Sequence, residues 1–170
     1  MIAGIMADSH DNRTAIDLAI DVFKSDPKVD LIVHCGDFCS PFAFWGLQEL
    51  EIPLKAVIGN NDGEIFRLRN AFDARRDWEL EKDLFEFKMD SQRAVIVHGD
   101  IPKLTELLLH SGDYDWVFSG HTHEPKVQTE GSSMLINPGE TSGWVSGRGT
   151  IARVDTASRS AEIIELFRRD

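Results

Sequence analysis

Five short polar clusters carry the reactive side chains of this sequence: Asp8-Ser9-His10, Gly36-Asp37, Gly59-Asn60-Asn61-Asp62, His98-Gly99 and Gly120-His121-Thr122-His123. Carboxylate, imidazole and amide oxygen, with no thiolate among them, suit borderline to hard divalent cations such as Mn²⁺, Fe²⁺, Ni²⁺ or Zn²⁺. Asp8 and His10 are two residues apart, so a backbone that stays extended past the strand's end sets both side chains on one face. Taken alone, Asp-x-His reads more readily as a strand finishing in polar turn residues. The same event recurs four more times, each after an apolar run: Leu31 to Cys35, Ala56 to Ile58, Ala94 to Val97 and Trp116 to Phe118. Five strand ends with ligating side chains imply one shared edge.

The elements that must position these clusters follow from periodicity. Residues 1–7 read as a buried strand, followed by a helix over 13–25 that Asp11 or Asn12 caps and that sets Ile16, Ala19, Ile20 and Phe23 on one face. A second strand at 29–35 precedes a helix opening at Ser40-Pro41, with Phe42, Trp45 and Leu50 toward the core. A third at 54–58 precedes a helix carrying Ile65, Phe66, Leu68 and Phe72. This alternation is the signature of a parallel sheet, in which ligands bind beyond the carboxyl ends of the strands. Residues 73–83 read as a solvated connector. A hairpin then turns at Asp90-Ser91, and Pro102 starts a helix with Leu104, Leu107 and Leu108 that Gly112 ends. After a strand at 115–119, short strands at 126–130, 133–137, 149–155 and 161–167 suggest a more antiparallel second sheet. The expected fold is α/β, a four-layer α-β-β-α sandwich with two mixed sheets face to face and helices outside.

The 170 residues, 42% of them hydrophobic, suffice for one domain over 1–170 with a sizeable core. The net charge of −11 argues against affinity built on many nucleic-acid phosphates or on an anionic membrane. A small phosphate ligand held locally by cations stays compatible with it. Cys35 and Cys39 are too few for a disulfide scaffold and read as structural thiols in a reducing compartment. No apolar run approaches the roughly 20 residues of a membrane span, and the start lacks the features of a signal peptide, so a cytoplasmic location is expected. Phe42, Phe44 and Trp45, if exposed, would favour a homodimer.

In this order and context, Asp8-x-His10, Gly36-Asp37, Gly59-Asn60, His98-Gly99 and Gly120-His121-x-His123 resemble the five signature blocks of the calcineurin-like metallophosphoesterase superfamily. The short length and the variant block Gly59-Asn60-Asn61-Asp62 resemble its small stand-alone prokaryotic phosphodiesterases. That resemblance implies two divalent ions, Mn²⁺ first among the options and Ni²⁺, Fe²⁺ or Zn²⁺ the others. Asp8, His10, Asp37 and His123 would hold one ion. Asp37, Asn60, His98 and His121 would hold the other, with Asp37 as the bridge. The implied activity is phosphodiester hydrolysis by a metal-bridging hydroxide on a small phosphate ester. A phosphomonoesterase or nucleotide pyrophosphatase on the same site, or a non-catalytic interaction module of the same fold, are the alternatives.

Asp62 reads either as a cap of the following helix or as a carboxylate that orients a ligating imidazole, and with Asp37, Asn60 and His98 it completes the expected catalytic set. His34 reads as a packed strand histidine and His110 as a surface residue near helix-terminal carbonyls. Asn137, before Pro138-Gly139, reads as a turn residue at the rim of the site. Two departures from the family stand out. Asn61 and Asp100 occupy positions that are often histidine in relatives, which removes the obvious general acid.

Overall fold

The computed structural model describes residues 1–44 and 46–169. Its first half runs β1 (Ile2–Met6), α1 (Arg13–Lys24), β2 (Leu31–His34), β3 (Leu54–Val57), α2 (Ile65–Asp73), β4 (Trp78–Glu81), β5 (Leu84–Met89) and β6 (Gln92–Val97). Then come α3 (Pro102–His110), β7 (Trp116–Phe118), β8 (Pro125–Glu130), β9 (Ser133–Pro138), β10 (Arg148–Asp155) and β11 (Ser160–Arg168).

Two mixed sheets result. The first has the order β11-β10-β1-β2-β3-β4, with β1 to β4 parallel and β10 and β11 antiparallel. The second has the order β5-β6-β7-β9-β8, parallel through β6, β7 and β9 and antiparallel at both edges. Alternation along β1 shows how they stack. Ala3 and Ile5 face the second sheet and pack with Ile96, Trp116 and Phe118, whereas Ile2 and Met6 belong to the layer that holds Phe23 of α1 and Phe72 of α2. Gly4 shares the α1 side, where an added Cβ would lie 2.4 Å from the Phe23 ring, so the bare backbone lets α1 close on the strand. On the outer face of the second sheet, Leu109 of α3 covers Val95, Val117 and Leu135. The layers are therefore α, β, β, α, the expected architecture.

Several local expectations are corrected. The segment after Pro41 forms two 3-10 turns, Pro41–Phe44 and Leu47–Glu49, rather than an α-helix, in a stretch too short to sustain stable α-turns. Leu50 is buried as expected and Phe42 is half exposed; Trp45 and the Phe44 side chain lie outside the described residues. The connector at 73–83 contains β4, an edge strand whose Trp78 and Leu80 face the core while Glu79 and Glu81 point out. Ile65 and Phe66 are exposed and leave Leu68 and Phe72 to anchor α2, and in α3 the buried residue is Leu109. The final two strands join the first sheet, where β10 supplies the second neighbour that β1 requires. Among the described residues no helix is long and apolar enough to cross a membrane.

Candidate metal centre

The loops that follow β1, β2, β3, β6 and β7 meet at the carboxyl edge of both sheets. Their candidate ligands do not continue the strands. Asp8, His10, Asp37, His121 and His123 have φ of 50°, 40°, 60°, 68° and 61°, so left-handed curls rather than strand alternation bring Asp8 and His10 together. Such conformations cost of order 1–3 kcal/mol each and persist where the surroundings enforce them. The enforcement is visible. Asp8 N–H donates to Gly36 O at 3.0 Å and His10 N–H to Asp37 O at 3.1 Å, which ties the first loop to the second. The Asp62 carboxylate accepts from the N–H groups of Asp37 (3.1 Å), Cys39 (2.7 Å) and Gly59 (2.7 Å), tying the second to the third. At Gly59 an added Cβ would lie 2.2 Å from Asp37 Oδ1, so only glycine lets this loop pass the carboxylate.

All seven expected ligands converge. Asp8, His10 and His123 form one group and Asp8, Asp37 and His98 another, with the ligand atoms in each within 4.8 Å of one another. Asp37 Oδ2 lies 3.7 Å from His10 Nε2, while its Oδ1 lies 3.5 Å from His98 Nε2. Asp8 Oδ1 lies 3.5 Å from His123 Nε2. Asn60 Oδ1 stands 2.9 Å from both His98 Nε2 and His121 Nδ1. Ligand bonds of about 2.1 Å put neighbouring donors on one ion roughly 3–3.5 Å apart, so this spacing is compatible with shared coordination.

The donor set fits divalent cations on two further grounds. Asp8 Oδ1 and His10 Nε2 are buried without a hydrogen-bond partner, whereas Asp8 Oδ2 is already engaged by His121 N–H at 2.9 Å. His98 Nδ1 faces the Cys35 carbonyl at 2.8 Å, an acceptor only, so Nδ1 carries the proton and the Nε2 lone pair points into the centre. Without an ion the cluster is electrostatically uncomfortable. Burial first, and the Asp37 charge second, push the Asp8 carboxyl up to about 8, and burial holds His10 below its ordinary value against the pull of Asp37.

Glu140, which sequence reasoning missed, is fully buried beside His123, with Oε2 3.2 Å from Nδ1. That contact is electrostatic rather than an aligned hydrogen bond. Burial alone would raise its carboxyl, but hydrogen bonds from Ser146, Val145 and Ser142 outweigh burial and hold it below the usual range. The available signal was an acid inside the Gly-rich loop 138–144. Cys39 Sγ lies 3.1 Å from His10 Nδ1, so this thiol touches the site although it reads as structural.

Asp62 fills neither of its expected roles. Its oxygens brace three backbone N–H groups, Glu64 is the residue at the start of α2, and the imidazole partner is Glu140. Asn61 clamps Asp37 through its own N–H to Oδ1 at 2.8 Å and its side-chain amide to Oδ2 at 2.7 Å. Asp100 lines a cavity of about 300 Å³ beside Asn60 and His98, shared with Asp62, Asp83 and Lys82. His34 is packed as expected, stacked 3.6 Å from Phe38 and bonded to Ser9 Oγ at 3.0 Å. Asn137 donates to Gly120 O at 2.8 Å and accepts from Gly139 N–H at 2.9 Å, so it makes the turn and steadies the His121 loop. His110 Nδ1 meets Glu106 O at 2.8 Å near the end of its helix.

The family model for the calcineurin-like phosphoesterase superfamily domain matches residues 1–159. The chain belongs to the calcineurin-like phosphoesterase superfamily. Membership and the ligand cluster together make it a metal-dependent phosphoric ester hydrolase. It is 35% identical over 166 residues to phosphodiesterase MJ0936 of Methanocaldococcus jannaschii, covering 98% of this chain and 99% of that one. A solved archaeal phosphodiesterase, also 35% identical, superposes with a TM-score of 0.91 over 97% of this chain and 99% of the other. Zinc-complexed Vps29 of Entamoeba histolytica, 15% identical, shares the superfamily fold with a TM-score of 0.68 over 98% of this chain and all of that one.

Proposed function

We propose that this chain hydrolyses small phosphodiesters with two divalent cations. One would be held by Asp8, His10, Asp37 and His123, the other by Asp37, Asn60, His98 and His121. The observation that carries this reading is the Asp37 carboxylate, which turns one oxygen toward His10 at 3.7 Å and the other toward His98 at 3.5 Å. Bound cations of this kind acidify water to a nucleophile near neutral pH and neutralise the oxygens of the phosphate. Mixed imidazole and carboxylate donors accommodate Mn²⁺, which we propose as the ion, and equally Ni²⁺, Fe²⁺ or Zn²⁺ as alternatives.

The part of the polypeptide is positional. Asn61 and Asp62 fix Asp37, the Cys35 carbonyl fixes the His98 tautomer, and Glu140 faces the outer nitrogen of His123. Such partners beyond the ligands set ligand orientation and basicity. Asp62, Asp83 and Asp100 around the cavity at Asn60, with Lys82 the cation among them, disfavour the dianion of a monoester relative to the monoanion of a diester. The similarity to phosphodiesterase MJ0936 points the same way. The free thiols of Cys35 and Cys39 suit a reducing compartment, and we place the enzyme in the cytoplasm.

The test is diesterase activity on bis(4-nitrophenyl) phosphate, before and after chelation, with elemental analysis of each sample. Chelated protein should be inert and regain activity with Mn²⁺. Asp37→Asn should lose about 10³-fold or more in kcat, more than Asp8→Asn or Asn60→Ala. Full activity without metal, or two ions retained in an active Asp37→Asn, defeats the reading.

A further inference from the structure

Of the outer contacts made by the proposed imidazole ligands, one differs in kind. His98 Nδ1 faces a carbonyl at 2.8 Å and His123 Nδ1 a carboxylate at 3.2 Å, groups that only accept a hydrogen bond. His10 Nδ1 faces Cys39 Sγ at 3.1 Å, and a neutral thiol both donates and accepts. Burial, with the charges of Asp11 and Asp37 behind it, pushes this thiol up to about 11, so it keeps its proton at neutral pH. Its aim is set from the main chain: Cys39 has φ of 73°, and its N–H donates to Asp62 Oδ1 at 2.7 Å. On the inner side, His10 Nε2 is buried without a hydrogen-bond partner, 3.7 Å from Asp37 Oδ2. It lies 4.0 Å from Asp8 Oδ1, an oxygen of a fully buried side chain that also lacks a partner.

We propose that Cys39 is a positioning residue that lets His10 change tautomer when the centre takes up metal. The inference rests on the reading above that His10 is a ligand through Nε2. In the metal-free protein the thiol donates to Nδ1, and the ring proton sits on Nε2, drawn there by the Asp37 carboxylate. With an ion bound, Nε2 has to offer its lone pair, so the proton sits on Nδ1 and the thiol, turned about its Cβ–Sγ bond, accepts it. Imidazole and thiol stay neutral throughout: one proton leaves Nε2 for water and another reaches Nδ1 from water. A carbonyl in place of the thiol would confine the proton to Nδ1 and leave the lone pairs of Nε2 and Asp37 facing each other in the metal-free protein. His98 is confined in that way, since the Cys35 carbonyl requires Nδ1–H with or without metal.

Long-range proton–nitrogen spectra of the histidine rings separate protonated from bare nitrogens, and they test this at pH 7.5 on chelated protein and on protein loaded with diamagnetic Zn²⁺. His10 should carry its proton on Nε2 without metal and on Nδ1 with it, while His98 keeps Nδ1–H in both. Cys39→Ala should leave the metal-free ring a mixture of the two tautomers and lower Zn²⁺ affinity about tenfold. Cys39→Ser, whose hydroxyl also gives and takes a hydrogen bond, should restore both. A thiol with a merely structural role would change the unfolding midpoint and neither of these readouts. One tautomer of His10 in both states, or a Cys39→Ala protein with native spectra and native affinity, would overturn the proposal. Native protein that takes up no Zn²⁺ would instead count against the metal reading, and the chelated spectra would still decide whether the thiol donates to Nδ1.

Discussion

Replacing Asp8 by asparagine should stabilise the metal-free protein at neutral to basic pH while weakening its response to metal. Asp8 is fully buried, and burial, reinforced by the Asp37 charge, pushes its carboxyl from 3.8 up to about 8. Between those two values the unfolded chain has lost the proton and the folded chain keeps it, so stability falls as pH rises through the window. About four units at about 1.4 kcal/mol each amount to roughly 6 kcal/mol lost between pH 4 and pH 8. Asparagine keeps an oxygen for the His121 N–H, which Asp8 Oδ2 now accepts at 2.9 Å, but has no proton to release. Urea unfolding in the presence of chelator at pH 5, 6.5 and 8 measures the difference. The native protein should weaken steeply toward pH 8, and Asp8→Asn should change less and end more stable by several kcal/mol. Asp62 titrates in both proteins and drops out of the comparison. Added divalent metal should rescue the native protein increasingly as pH rises and stabilise the variant less and with a weaker pH dependence, because at this position the ion replaces the proton. Parallel pH curves for the two proteins would refute the argument that burial strains this carboxylate.

Glu140→Gln removes the charge 3.2 Å from His123 Nδ1, and metal affinity in competition with a chromophoric chelator should fall about 10–100-fold. Gly59→Ala would drive a Cβ to 2.2 Å from Asp37 Oδ1; bound metal and activity should both be lost while the far-UV spectrum stays that of a folded α/β protein, and a fully active variant would contradict the geometry. Because the Asn61 amide is committed to Asp37, no imidazole stands there to protonate a departing alcohol. General acid catalysis typically contributes about 10²–10⁴-fold, so nitrophenyl diesters should be cleaved well and alkyl diesters poorly, and a flat series with rate-limiting chemistry would show that another group supplies the proton.

The sheet edge was legible because the apolar runs and their polar ends coincide, and a parallel sheet admits one place where such ends meet. All seven proposed ligands were readable for that reason. How they converge was not: Asp and His adopt the left-handed backbone more often than other non-glycine residues but still rarely, so their types at Asp8, His10, Asp37, His121 and His123 do not announce it. The strand at Trp78–Glu81 was hidden because its outward residues are glutamates inside a charged stretch, so alternation looked like solvation. Glu140 escaped because its partners, the N–H groups of Trp144, Val145 and Ser146, come from the backbone of a glycine-rich loop, and backbone donors carry no sequence signature. Asp62 was recognised as important but given the wrong partners for the same reason.

The pairing of β1 with β10 has a consequence for how the molecule is made. Ile5 stands opposite Ala152, and the Asp8 loop is held by N–H groups of Thr141 and Ser142, bonded to Ala7 O at 2.9 Å and Asp8 O at 3.2 Å. On the ribosome, then, the first ligating residues emerge long before the segments that shape them, and a growing chain offers Asp8, His10 and Asp37 only as loose, unselective donors. Discrimination among ions has to wait for the last strands. With the ligand set proposed above, metal insertion is expected to follow synthesis, and the ion found in a preparation is expected to reflect what the finished protein met.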